Sequence, residues 1–135
     1  MKNVPRIGGV IAPDKAKNMS ALTLAYVGDA VYSLYVRTYL STSGDYKSGE
    51  LTKMVNKTVC ARAQSELMKK IADHLTEDEY GVYKRAKNAK TNNYPTHASI
   101  GEYHEATGFE ALIGYLYLIG ESERIEALLG GYYAD

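Results

Sequence analysis

The sequence predicts an all-α helical bundle. Three observations carry this: apolar residues recur at helical spacing along most of the chain, no stretch alternates with the period of a half-buried strand, and a Ser/Thr-to-Glu pair marks a helix start. At 135 residues one domain is expected, long enough to bury roughly two-thirds of the surface that its unfolded chain exposes. No internal repeat is visible.

Residues 1–18 hold Pro5, Gly8, Gly9 and Pro13 and read as an irregular N-terminal arm, which leaves residues 19–135 as the folded domain. From Ser20 onward, Val27, Ala30, Val31, Leu34 and Tyr35 recur at i, i+3, i+4, i+7 and i+8, so a first helix is expected to run to about Leu40. The turn-forming run STSGDYKSG, residues 41–49, follows as a loop. Leu51, Met54, Val55 and Thr58 mark a second helix, broken or bent before a third that carries Ala63, Leu67 and Ile71. Thr76-Glu-Asp-Glu79 is a capping box and opens a fourth helix through Tyr83 to about Lys87. NAKTNNYPTHASIGEY, residues 88–103, is the longest stretch without periodicity; a loop of that length in a compact domain is usually functional or disordered. A fifth helix, about 103–119, is the most apolar and belongs in the middle of the bundle, and a sixth runs from Ser122 to Leu129 before Gly130 and Gly131.

The net charge is zero, which at first argues against a nucleic-acid partner. The distribution reverses that argument: residues 1–90 hold 15 Lys/Arg against 9 Asp/Glu, while residues 91–135 hold one, Arg124, against 7. Cys60 is the single cysteine, which excludes an internal disulfide and reads as a small buried hydrophobe in a reducing compartment. The N-terminus lacks the apolar core of a signal peptide, and no window approaches the roughly 18 apolar residues of a membrane span. A soluble cytoplasmic protein is expected.

Two carboxylates stand in apolar helices. Glu110 is the only charged residue between Phe109 and Ile119, and Thr107-Gly-Phe-Glu110 has the spacing of a capping box, which would give Glu110 a purely local role. Asp29 has no such role, because Ser20 already offers an N-cap and Asp is a poor mid-helix residue. Gly28 beside it adds about 1 kcal/mol of helix cost relative to Ala. Gly28 and Gly114 would let the first and fifth helices approach closely, and a crossing there brings Asp29 and Glu110 to one point. Two carboxylates at short range need a proton or a cation between them. Mg²⁺ answers that need, since it is commonly held by one or two carboxylates while keeping several waters. Zinc does not fit: His74, His97 and His104 lack a Cys/His partner at ligand spacing and read as surface or loop residues. Mg²⁺ with bound water beside phosphate is the machinery of phosphodiester hydrolysis. KRAKNAK, residues 84–90, supplies the matching basic cluster, although cations at a helix C-terminus are also ordinary.

LAYVGDAVYSLYVR (24–37) resembles the signature helix of ribonuclease III-type catalytic domains, in which the aspartate after glycine is catalytic. EATGFEALIGYLYLIG (105–120) resembles its partner helix, whose FEA glutamate is the second acid. KRAKNAK followed by a polar loop is similar to Mini-ribonuclease III, the short bacterial branch that lacks a separate double-stranded-RNA-binding domain. The resemblance implies a ribonuclease III-like endonuclease domain acting as a homodimer, a Mg²⁺-dependent endoribonuclease that hydrolyses phosphodiester bonds in double-stranded RNA. In that branch the task is maturation of 23S ribosomal RNA precursors, with help from a large-subunit ribosomal protein. Carried over by position, Asp29 and Glu110 would be catalytic and would hold Mg²⁺, and Lys84, Arg85, Lys87, Asn88 and Lys90 would approach the RNA backbone.

The chain departs from the pattern at three positions. Ala25 and Thr107 stand where full-length ribonuclease III proteins carry further acids, and Ser33 stands where the Mini branch often has glutamate. Fewer acids bear on whether a second Mg²⁺ is held. These departures favour an alternative, a non-catalytic RNA-binding or ribosome-assembly module on the same fold. In a third reading, an all-α protein-interaction domain, residues 84–90 are only a solvated surface.

Overall fold

The computed structural model describes residues 8–90 and 98–130. Among these the chain forms seven α-helices and one 3-10 turn, with no strand: α1 (Pro13–Lys17), α2 (Ala21–Ser43), α3 (Ser48–Val59), α4 (Ala61–Ile71), the turn Ala72–His74, α5 (Glu77–Lys87), α6 (Ile100–Leu118) and α7 (Ser122–Leu129). The all-α bundle read from the sequence is the fold observed. No helix among the described residues is long and apolar enough to cross a membrane.

The most apolar helix, α6, lies at the centre and packs against α2, α5 and α4, with lighter contacts to α7 and α1. Ala106–Phe109 and Ala111–Leu116 are buried on it, so it has almost no solvent face. The close partner is α2, and the two helices cross at a pair of glycines. A Cβ on Gly28 would lie 2.8 Å from the backbone N of Gly114 and overlap the Glu110 carbonyl; one on Gly114 would lie 2.9 Å from the backbone N of Gly28 and overlap the Leu24 carbonyl. Only glycine at both positions lets the backbones touch. Beside the crossing, the Tyr32 ring meets Phe109 edge-on, with centroids 4.9 Å apart at 86°.

This crossing fixes which face of α2 turns inward. The buried residues are Leu24, Ala25, Gly28, Val31, Tyr32, Tyr35 and Val36. They share a face with Gly28 at three- and four-residue spacing. The stripe expected from the sequence was rotated relative to it: Val31 and Tyr35 are inside, whereas Ala30 is exposed and Leu34 is 42% exposed.

Helix ends differ from expectation where side chains satisfy backbone groups. α2 continues to Ser43 through the Ser/Thr run, because the hydroxyls of Thr38, Thr42 and Ser43 donate to carbonyls three or four residues back. α3 begins at Ser48, inside the stretch read as a loop. The arm read as irregular contains α1, started by Pro13 in the first helical position; Ile11 N–H donates to the Leu118 carbonyl at 3.0 Å and Ala16 is fully buried. α6 starts at Ile100 rather than 103, because Ser99 and Glu102 form a capping box. The Thr76–Glu79 box on α5 forms as read.

Cys60 corrects a further reading. It is exposed at the extended residue that separates α3 from α4, with its thiol donating to the Lys57 carbonyl at 3.4 Å. Arg124, the sole base in the acidic C-terminal third, is structural: both carboxylate oxygens of buried Glu79 accept from it at 2.8 Å, and the His74 carbonyl accepts at 2.6 Å. α7 is thereby tied to α5. Burial alone would raise Glu79, but the Arg124 guanidinium and the Thr76 N–H outweigh it and hold the carboxyl below its usual range.

The glycine crossing gives a paired prediction. Gly28→Ala is expected to destabilise the fold by about 3 kcal/mol or more, since the added carbon meets backbone that cannot rotate away. Gly81→Ala, on an exposed position of α5 with nothing within 4 Å, is expected to stabilise by up to about 1 kcal/mol. Urea unfolding of both variants measures the contrast.

Candidate active site

Asp29 and Glu110 converge because of the same crossing. Gly28 faces the Glu110 backbone directly, so the next residue on α2 stands beside the Glu110 side chain on α6. Asp29 is exposed at the rim while Glu110 reaches further in. Burial first, and then the hydrogen bond and negative charge of Asp29, push Glu110 up to about 9.

The capping reading of Glu110 does not survive. Thr107 lies inside α6, not at its start, and its hydroxyl donates to the Tyr103 carbonyl at 3.0 Å. Ser99 and Glu102 do the capping, so Glu110, like Asp29, has no local helical purpose.

An open groove beside the pair is lined by Leu22, Ala25, Tyr26 and Asp29 from α2 and by Tyr103, Thr107 and Glu110 from α6. Ala25 and Thr107, the positions that depart from the fuller acidic pattern, thus border the site and give it a methyl and a hydroxyl. Ser33, one turn beyond Asp29 on α2, is not part of the groove lining, and its Oγ accepts from Arg37 Nε at 3.2 Å. Among the described residues no group of three or more His, Cys, Asp or Glu side chains could hold a metal. What the site offers is two oxygen donors on facing helices. That donor set suits a hard divalent cation which keeps most of its water.

Two features of the site were not read from the sequence. Tyr26 and Tyr103 border the groove. Gln64 of α4 is buried against Glu110, where its amide favours the ionised carboxylate although Nε2 makes no hydrogen bond of standard geometry. A signal existed: Gln64 is a polar member of a face continued by Leu67, Met68 and Ile71.

The basic residues are not brought onto the carboxylates. Lys84, Arg85, Asn88 and Lys90 are exposed at the end of α5 and just beyond it, and Lys87 Nζ lies 5.9 Å from the centre of the Tyr83 ring. That end of α5 docks on α6 at Gly108, where a Cβ would lie 2.6 Å from the Tyr83 ring. Gly108 and Glu110 point to different sides of α6. His74 is exposed, His104 is half-buried on α6 with its ring against Tyr103, and His97 lies outside the described residues.

Comparison with known proteins sets this geometry in context. The ribonuclease III domain family matches residues 22–121. The Mini-ribonuclease 3 of Clostridium tetani (strain Massachusetts / E88) is 43% identical over 124 residues, 91% of this chain and 82% of the relative. The Mini-ribonuclease 3 of Thermoanaerobacter sp. (strain X514) is 46% identical over 112 residues, 83% of this chain and 79% of the relative. A crystal structure of a protein from Fusobacterium nucleatum superposes with a TM-score of 0.79 at 38% identity, covering 84% of this chain and 92% of that one.

The raised Glu110 has a consequence for stability without metal. The folded protein binds a proton that the unfolded chain, with its carboxyl near 4.5, releases, so this stability is fully present below about 4.5, declines with rising pH and is lost as pH passes about 9. Glu110→Gln is expected to flatten that decline and, near pH 8, to raise the melting midpoint by about 5 °C, on the order of 1 kcal/mol. Thermal melts of both proteins in a chelating buffer across this range check it.

Proposed function

The chain belongs to the ribonuclease III family, in its Mini-ribonuclease 3 branch, and from that premise we propose that it is an endonuclease that cuts double-stranded RNA with Mg²⁺ held by Asp29 and Glu110. A ribonuclease of this family acts on duplex RNA; the metal, the two acids and the natural substrate are the proposal. The observation that carries it is the carboxylate pair across the Gly28–Gly114 crossing, whose pooled charge calls for a cation.

A divalent cation bound there supplies a water of lowered pKa and a positive centre for the leaving oxygen. The chain's own contribution is positional. The backbone contact between α2 and α6 fixes the separation of the two carboxylates, and burial of Glu110 keeps its charge from being met by water instead of by the cation.

The exposed basic end of α5 supports a role for Lys84, Arg85, Lys87, Asn88 and Lys90 in holding the phosphate backbone. A-form RNA is recognised mainly through shape, phosphates and 2′-hydroxyls, and such a cluster suits that. An apolar stripe on α2 supports a homodimer: Leu22, Tyr26 and Leu34 are 43%, 76% and 42% exposed, and Ala30 lies between them. Leu22 and Tyr26 also line the groove, so a second copy seated on the stripe would border the site. The substrate proposed is the 23S ribosomal RNA precursor in the cytoplasm, presented with a large-subunit ribosomal protein.

Two experiments test this reading. Asp29→Asn is expected to retain duplex RNA binding while Mg²⁺-dependent cleavage falls about a thousandfold, roughly 4 kcal/mol of barrier. Cleavage at the wild-type rate would refute the site. A wild-type protein that binds RNA in a salt-sensitive way but does not cut under any divalent metal would instead be the non-catalytic module. For the basic cluster, Lys84→Ala with Lys87→Ala is expected to weaken binding and to lower the slope of log affinity against log salt by about 2. Filter binding over a salt series measures it.

A further inference from the structure

The buried Gln64 beside Glu110 has as yet no task in the proposed function. Gln64 on α4 is 1% exposed, and its Nε2 is enclosed without a hydrogen bond of standard geometry. An unpaired buried amide is costly, and a leucine or methionine on the face shared with Leu67 and Met68 would avoid that cost. The enclosed amide faces Glu110, across the packing of α4 on α6.

We infer that Gln64 is a positioning residue for Glu110: its carboxamide holds one oxygen of that carboxylate so that the other turns toward Asp29 and a divalent cation between them. The inference rests on the reading of Asp29 and Glu110 as the metal-holding pair. A ligating carboxylate shares its charge between two oxygens. The oxygen facing away from the cation lies in a dry place, where it needs a donor. Nε2 of Gln64 is a donor already carried into that place by α4. The bond is then completed in the metal-loaded protein and contributes little to the stability of the unloaded one. Donors that orient a ligating group in this way commonly change metal affinity by about 10–100-fold.

The test uses Mn²⁺ alone as the probe, with its dissociation constant read by electron paramagnetic resonance for the wild type, Gln64→Met, Glu110→Gln and the double variant. Methionine matches glutamine in length and removes the donor, so the core stays filled. The expected result is a roughly tenfold weaker Mn²⁺ constant for Gln64→Met, with a melting midpoint in chelator equal to or above that of the wild type. The double variant is expected to bind no more weakly than Glu110→Gln, because the amide acts only through that carboxylate. Gln64→Met within twofold of the wild type, or losses that add in full in the double variant, would overturn the inference while leaving the site intact. If Glu110→Gln itself leaves the Mn²⁺ constant unchanged, the metal-holding reading fails and takes the inference with it. Should Gln64→Met not fold, Gln64→Asn, which keeps an amide too short to reach, carries the same expectations.

Discussion

The contact between the backbones of α2 and α6 at Gly28 and Gly114 is the constraint from which the rest of the molecule follows. Two helices in ordinary contact keep their axes about 8–10 Å apart, because side chains fill the space between them. Here neither helix carries a side chain at the crossing. The close approach sets the inward face of α2, seats Tyr32 on Phe109, and places Asp29 beside Glu110. The helix propensity given up at two glycines, about 1 kcal/mol each, is offset by this packing.

Glu79 and Glu110 show how the partner decides whether the effect of burial on a carboxyl is reversed or reinforced. Glu79 meets Arg124 and Thr76, its carboxyl is held low, and it works as a structural tie between α5 and α7. Glu110 meets another acid, and its carboxyl is pushed up to about 9. One site is electrostatically closed. The other is left with a demand for positive charge at the edge of a groove, which is where a metal-dependent hydrolase needs it. Ala25 and Thr107 stand in place of further acids along that groove and give it a methyl and a hydroxyl.

The chain's charge polarity has a structural counterpart. Helices α3, α4 and α5 carry lysine or arginine in their last turns, and the basic end of α5 docks on α6 through Tyr83 and Gly108. α6 therefore carries the two features on two of its sides, the acids toward α2 and the basic turn toward α5. A duplex nucleic acid is large enough to touch both. No residue needs to bridge them within the protein.

Much of this was legible in the sequence. The helices announce themselves by periodicity and by the Thr76–Glu79 box, and Asp29 beside Gly28 stands out because both residues disfavour a helix interior. The glycines that permit the crossing were readable for the same reason. Other features were not. The rotation of α2 that exposes Leu34, the placement of Thr107 inside a helix instead of at its cap, the exposure of Cys60 and the reach of Gln64 to Glu110 were decided only by the tertiary structure. The physical reason is that periodicity is local: it states which residues share a face of one helix. Which face meets which neighbour, and so which polar group ends beside which, depends on contacts between segments far apart in the chain.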